Sequence, residues 1–307
     1  MVFRPDSADT RLDFDAARAD ARPLGERTSF RIGGTPEWCF EPTTEEEAGE
    51  VLRRCRARGV PVRVLGGGYN LLVADGVVPG AVLSTRRLRF ERLHDDRLEV
   101  GAGTPFSGLV ARAADLGIPV ISGCPGIPGQ VGGVVAMNAG GRYGSVGDAL
   151  VEVAGFDLEG KAFRRRVVPG DLGYRTSAFQ GLVVTSATFL RDAALDRTAA
   201  RRVFEEASLW KRTTQPLWAA SAGCVFKNPP ADAAAPGVAR SAGALIDRLG
   251  LKGERMGGAV VSALHANFIV NEGGARFADV WTLIERIQAR AREAAGVDLE
   301  LEVKVWR

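Results

Sequence analysis

Apolar positions along this 307-residue chain change period repeatedly, and each change predicts an element. Between Thr43 and Gly59, Val51, Leu52 and Cys55 fall on one helical face; Thr43 and Glu46 are spaced as a capping box, and Gly59 is a stop. Trp38–Glu41, Val60–Leu65, Ala81–Thr85 and Leu98–Ala102 predict strands. Thr104 and Pro105 predict the cap and first residue of a helix ending near Gly117, with Leu109, Ala113 and Leu116 on one face. Val151–Leu158 and Ala162–Val168 suit a hairpin turning at Glu159–Gly160, and Leu182–Leu190 a further strand. After the polar stretch Asp192–Arg197, helices are predicted over Thr198–Lys211 and Ser241–Leu249. A longer one is capped by Asp279, turns Val280, Leu283, Ile284, Ile287 and Ala291 to one side, and ends at Gly296. Ala259–Ser262, Asn267–Asn271 and the alternating Asp298–Val305 read as strands. Residues 1–22 are polar and read as a loosely held extension. The mixed order is that of an α+β protein without internal repeat.

Two segments fit no periodic element. Cys124–Gly144 carries seven glycines, with Pro125 and Pro128 among them; glycine weakens a helix or strand interior and proline removes a donor, so neither element is expected there. Such backbone suits close approach of N–H groups to a phosphate-bearing ligand; the alternative is an irregular connection. The second segment, Leu65–Asn70 (LGGGYN), follows a strand, as in a dinucleotide-binding turn. A turn of that kind opens a helix, however, and Leu71–Gly80 has neither helical period nor length. Loop amides would have to hold the phosphates instead.

Composition narrows the class. Apolar residues make up 46% and charged residues 25%, ordinary for a globular protein, whereas 38 glycines exceed the roughly 7% average. A net charge of +3 argues against a nucleic-acid surface. The four cysteines, Cys39, Cys55, Cys124 and Cys224, form no CxxC and no His-rich motif, so no metal site is expected. The N-terminus has no apolar signal core, and no run reaches the ~18 apolar residues of a membrane span. A cytoplasmic monomer with free thiols is expected, with neither nucleic acid nor membrane as partner.

Nine segments, in order, resemble the UDP-N-acetylenolpyruvoylglucosamine reductase family. They are TSFRIGG (28–34), VLGGGYNLLV (64–73), PGIPGQVGG (125–133), MNAG (137–140), YRTSAF (174–179), SAGCVFKNP (221–229), AGALIDRLGLKG (242–253), GGAVVSALHANFIVN (257–271) and LELEVKV (299–305). The resemblance runs from about Thr28 to the end. It implies an α+β fold: a two-subdomain FAD-binding region of the vanillyl-alcohol-oxidase type (23–85 and 86–195), then a substrate-binding C-terminal domain (196–307). By resemblance, non-covalent FAD would be lined by Gly66, Gly67, Gly68, Tyr69, Asn70, Pro125, Gly126, Ile127, Pro128, Gly129, Val131, Gly132, Gly133, Asn138, Ala139 and Gly140. NADPH would be the co-substrate.

The reaction so implied is reduction of UDP-N-acetylglucosamine enolpyruvate to UDP-N-acetylmuramate, for peptidoglycan precursors. Hydride from flavin N5 goes to the terminal vinyl carbon, and negative charge develops on the adjacent carbon and its carboxylate. That chemistry needs a cation or donor aimed at the charge and an acid to protonate the carbon. The family's motifs put these roles on Arg175, Cys224 and Glu302. A guanidinium grips a carboxylate with a planar fork. Cys224 stands where serine is usual in the family; a thiol, at ~8.5, is a stronger acid than an alcohol. Its alternative is an inert buried thiol, as expected for Cys39 and Cys55. Glu300 and Glu302, two apart, would share one strand face, and only the family pattern selects Glu302. Arg212, Gln215, Lys227 and Asn228 are candidates for the substrate's nucleotide, phosphates and carboxylate, Lys252 a weaker one; the alternative for the cations is a solvated face. His265 reads as a core histidine.

The chain departs from the family at Tyr69, where serine is usual, and in NAGGRYG, one residue longer than the common form. No tyrosine-bearing insertion lies between Phe179 and Leu195, as in the shorter of the family's two types. A related flavin oxidase acting on alcohols or sugars, and a flavin-binding module without catalysis, are the competing readings.

Overall fold

A computed structural model of the chain describes residues 12–141, 143–230 and 241–307. Its residues form two compact units, each assembled from separated segments. Among the described residues, the first combines those up to Arg22 with Pro36–Gly67 and Pro79–Ala207; the second combines Pro23–Thr35, Gly68–Val78 and those from Ser208 to Arg307.

In the first unit, Thr35–Phe40, Val77–Ser84 and Val62–Leu65 make a three-stranded sheet with Val77–Ser84 central; Val62–Leu65 runs parallel to Ala81–Ser84. Helix Glu45–Ala57 covers it with Val51, Leu52 and Cys55, which pack with Phe40, Ala81 and Leu83. The helix starts one residue later than the spacing suggested. Thr44 caps it by accepting from the Glu47 N–H at 3.2 Å, and Glu47 reaches back to the N–H of Thr43 at 2.6 Å. The predicted loose extension is also corrected for its described part: Phe14–Ala19 is a helix capped by Asp13, with Leu12 and Ala17 in the same core. Residues 1–11 lie outside the described residues.

A second, five-stranded antiparallel sheet has the order Ala162–Arg166, Leu150–Phe156, Val183–Leu190, Arg97–Gly101, Glu91–Leu93. Helix Phe106–Leu116 buries Phe106, Leu109, Val110 and Ala113 with Leu98, Val100 and Phe189. Each fully buried side chain of this size is worth about 1.5–3 kcal/mol against exposure. Gly117 ends the helix in the left-handed conformation, as predicted, but Pro105 is its N-cap and the expected Thr104 cap bond is absent.

The second unit gathers a core from distant sequence. Phe30, Ile32 and Leu72 pack with Val225, Phe226, Ile246 and, from helix Phe277–Ala295, Leu283 and Ile284. Arg255–Met256, Ala259–Val261 and Ile269–Asn271 form an antiparallel sheet. Lys304–Trp306 pairs in parallel with Leu71–Val73, an element the pattern did not reveal. The strand expected over Asp298–Val305 is therefore shorter, with a single bridge, Leu301 to Phe226, preceding it. Arg276, not Asp279, is the N-cap of Phe277–Ala295; the Asp279 carboxylate, one turn in, accepts from the Arg276 N–H at 2.9 Å.

Candidate active site

In the first unit the two glycine-rich segments meet. Gly66 leaves the strand Val62–Leu65, and a methyl group placed on it would lie 3.8 Å from the Gly133 nitrogen and 3.9 Å from Gln130 Oε1. Gly133 lies in helix Val131–Ala136, and a methyl group there would meet nothing within 4 Å. That helix corrects the expectation that the Gly-rich stretch excludes one. It is short, and its Gly132 is required by packing, since a side chain there would strike the Ala102 methyl at 2.8 Å. Its entry is pinned by Val131 N–H to Thr104 O (3.1 Å) and Gly132 N–H to Ala102 O (2.9 Å). Upstream, Gly126 and Gly129 take φ values of 65° and 121°, which favour glycine. Pro125 and Ile127 are buried, and Gly126, Pro128 and Gly133 are exposed.

Three polar atoms at this place are buried and make no hydrogen bond: Ser84 Oγ, Thr104 Oγ1 and Gln130 Oε1. Ser84 sits opposite Leu65 in the parallel pair, at the same strand ends as Gly66. Burying unmatched polar groups is costly, so such a cluster calls for a partner. Open backbone at two glycines beside unmet polar atoms fits the diphosphate-bearing cofactor that the resemblance implies.

Asn138, Ala139 and Gly140 shape the next turn. Asn138 has φ 42°; its Oδ1 accepts from the Gly147 N–H and its Nδ2 donates to Gly173 O, both at 2.9 Å. The longer NAGGRYG segment is taken up in a small hairpin, Gly140–Gly141 against Gly144–Ser145. Nearby, Leu172–Gly173 pairs with Thr176–Ser177, and Tyr174–Arg175 forms the tip. Ser177 Oγ ties this hairpin to Ala136 O at 2.8 Å. Arg175 is a non-glycine residue at φ 57°; its guanidinium lies 5.1 Å from the centre of the Tyr174 ring. Residues held in sparsely populated conformations concentrate at functional sites.

In the second unit, Asn70, Cys224 and Glu302 belong to one hydrogen-bonded patch. Asn70 Nδ2 donates to Glu302 O at 3.1 Å, Asn70 O accepts from the Lys304 N–H, and the Glu302 N–H donates to Val225 O at 2.8 Å. Cys224 bridges Phe268 and is half-buried. Gly68, at φ 70°, is fixed by close approach to the Arg27 carbonyl; Tyr69 after it is exposed. Neither glutamate lies in the last strand, Lys304–Trp306: Glu300 is mostly exposed and pairs with Lys227 at 3.1 Å, whereas Glu302 is half-buried.

The other substrate candidates are placed as follows. Arg212 is exposed in the last turn of helix Arg197–Thr214, its Nε donating to Ser208 O at 3.3 Å, and Gln215 follows that helix. Asn228 Oδ1 accepts from the first N–H of helix Ala242–Arg248 at 3.1 Å. Lys252 pairs with Asp247 at 2.7 Å. His265 stacks edge-on with Phe268, and its Nδ1 accepts from the Asn267 N–H at 3.3 Å; burial holds its pKa below the usual histidine value. Gln130, the long polar side chain inside the PGIPGQVGG run, carried no signal in a pattern dominated by glycine and proline.

Residues 36–165 match the family described as FAD binding domain, and residues 215–306 that described as UDP-N-acetylenolpyruvoylglucosamine reductase, C-terminal domain. The chain is thus an α+β FAD-binding protein with a second, reductase-type domain. UDP-N-acetylenolpyruvoylglucosamine reductase of Heliobacterium modesticaldum is 40% identical over 95% of this chain and 92% of its own length; that of Moorella thermoacetica is 40% identical over 92% and 91%. The crystal structure of UDP-N-acetylenolpyruvylglucosamine reductase from Thermus caldophilus superimposes with a TM-score of 0.77 at 36% identity, covering 94% of this chain and 98% of that one. The chain belongs to the UDP-N-acetylenolpyruvoylglucosamine reductase family.

Proposed function

We propose that this protein reduces UDP-N-acetylglucosamine enolpyruvate to UDP-N-acetylmuramate, with FAD as resident cofactor and NADPH as electron source, in the cytoplasmic synthesis of peptidoglycan precursors. The observation that carries this reading is the near-full-length similarity to named reductases, with Arg175, Cys224 and Glu302 all at their motif positions. Residues 23–85 and 86–195 would hold FAD and 196–307 the substrate.

Overall, NADPH and one proton convert the CH2=C(COO⁻)–O unit to CH3–CH(COO⁻)–O and leave NADP⁺. When bound, the flavin would supply the hydride that reaches the terminal carbon. Arg175 holds the substrate carboxylate, where charge develops; a fork of two N–H donors fits that group. Cys224 gives its Sγ–H proton to the adjacent carbon and is reprotonated from solvent. Glu302, whose backbone is fastened to Asn70 and Val225, orients the donor side of this exchange. Backbone at Gly66 and Gly133, which carry no side chain, would receive the cofactor's diphosphate.

The test is a pair of anaerobic half-reactions. NADPH should bleach the bound flavin, and the enolpyruvyl substrate should restore the oxidised spectrum. Failure of the second step, with the first intact, overturns the assigned substrate. Flavin that stays with the pellet after acid precipitation supports the oxidase reading instead.

A further inference from the structure

We infer that the Gln130 side-chain amide is a contact for the flavin cofactor's diphosphate, donating from Nε2 into the gap between Gly66 and Gly133. This rests on the FAD-binding reading above and adds an amide side chain to the backbone cradle.

Gln130 is only 9% exposed, and its Oε1 is buried without a hydrogen-bond partner. That end of the amide lies next to both glycines: a methyl group placed on Gly66 would sit 3.9 Å from Oε1 and 3.8 Å from the Gly133 nitrogen. Neither glycine carries a side chain to fill the space, and a methyl group on Gly133 would touch nothing. A long amide buried for packing alone would satisfy its polar end or be replaced by an apolar residue, because an unmatched buried acceptor costs about 1–3 kcal/mol.

The position is rigidly held. Gln130 is the N-cap of helix Val131–Ala136, but its side chain makes no capping bond. Its backbone bridges Pro105, and the flanking bonds Phe106 N–H to Gly129 O and Val131 N–H to Thr104 O clamp the residue from both sides. Thr104 Oγ1, one residue before Pro105 of that bridge, is likewise buried and unmatched.

The ligand chemistry decides which end of the amide serves. A diphosphate diester is anionic and offers no proton at neutral pH, so a carbonyl oxygen cannot bond to it. No hydrogen bond holds Oε1 where it is. A half-turn about the last side-chain bond exchanges oxygen for NH2 at the same place, giving two donors directed at the anion. A hydrogen bond to a charged group is among the stronger kinds.

The experiment measures FAD dissociation constants on deflavinated full-length chain for wild type, Gln130→Met and Gln130→Glu. Methionine keeps the length and loses the donors; glutamate keeps the shape and sets a carboxylate against the diphosphate. The expected loss of affinity is about 10- to 100-fold for methionine, and larger for glutamate. Unchanged affinity in Gln130→Met overturns the inference. Glutamate binding better than methionine also overturns it, because that order marks a packing role for a polar shape. Melting temperatures of the FAD-free variants check folding; should Gln130→Glu fail to fold, the methionine variant decides. Wild type that binds no FAD overturns the functional reading itself, whereas wild-type binding with unaltered Gln130→Met overturns this inference alone.

Discussion

Arg175 occupies the left-handed region at a hairpin tip, a conformation that costs an L-residue roughly 1–2 kcal/mol. Glycine would relieve that cost, so Arg175→Gly is expected to raise the melting temperature while substrate turnover collapses. Arg175→Lys keeps the charge and loses the fork. Flavin reduction by NADPH should stay near wild type, and reoxidation by substrate should slow by orders of magnitude in stopped-flow traces; equal slowing of both steps would remove Arg175 from the carboxylate. The thiols differ in the same way. Burial pushes the Cys55 thiol up to about 11, and Cys39 and Cys124 are also buried, whereas Cys224 is half-buried. A thiol reagent at pH 7 should therefore label one fast site, lost in Cys224→Ser. That serine variant should keep substantial turnover, while Cys224→Ala should lose about 10²–10⁴-fold in substrate reduction only. At this scale the motifs were legible and the capping detail was not. Thr43 and Thr44 are adjacent alternatives, and only the reach of Glu47 decides between them.

Two glycines in neighbouring elements separate a fold requirement from a ligand requirement. Gly133 is helical and faces open space, so Gly133→Ala should stabilise the FAD-free protein by up to about 1 kcal/mol in urea titration, through helix propensity alone. The same methyl group would intrude on the cradle and weaken FAD binding. A variant gaining stability without losing FAD affinity would show that the gap is not the cofactor's. Gly68→Ala should behave oppositely, losing stability with or without FAD, because φ 70° and the Arg27 carbonyl both oppose a side chain. Periodicity revealed the long helices well. It failed at Val131–Ala136, where glycine serves packing and access within a short buried turn, and at Leu71–Val73, whose three apolar residues gain strand identity only from Lys304–Trp306.

The division of the molecule into units could not be read along the chain. Leu72 lies two residues after the GGGYN loop, yet its side chain is fully buried in the core with Leu283 and Ile284. Leu72→Ala should therefore cost about 2–5 kcal/mol. Amide exchange should rise throughout helix Phe277–Ala295 more than in Glu45–Ala57, which belongs to the other core. Equal acceleration in both helices would place Leu72 wrongly. The order of motifs made the family legible, because each motif is local. The core of the second unit was hidden because it depends on pairings across most of the sequence, such as Asn271 Nδ2 to Phe30 O and the Phe277 N–H to Asp75 Oδ2.

The Asn70–Glu302 bond joins residues 232 positions apart. On a ribosome adding about 5–20 residues per second, roughly 12–46 s separate the emergence of the two. For that interval Leu71–Val73, buried in the finished protein, has no strand to pair with, and the core that Leu72 enters is incomplete. Apolar strand edges of this kind invite association with other chains. That short segment is thus left without its partner strand while more than two hundred further residues are added, and the Asn70 side chain gains its Glu302 partner only at the end of that interval.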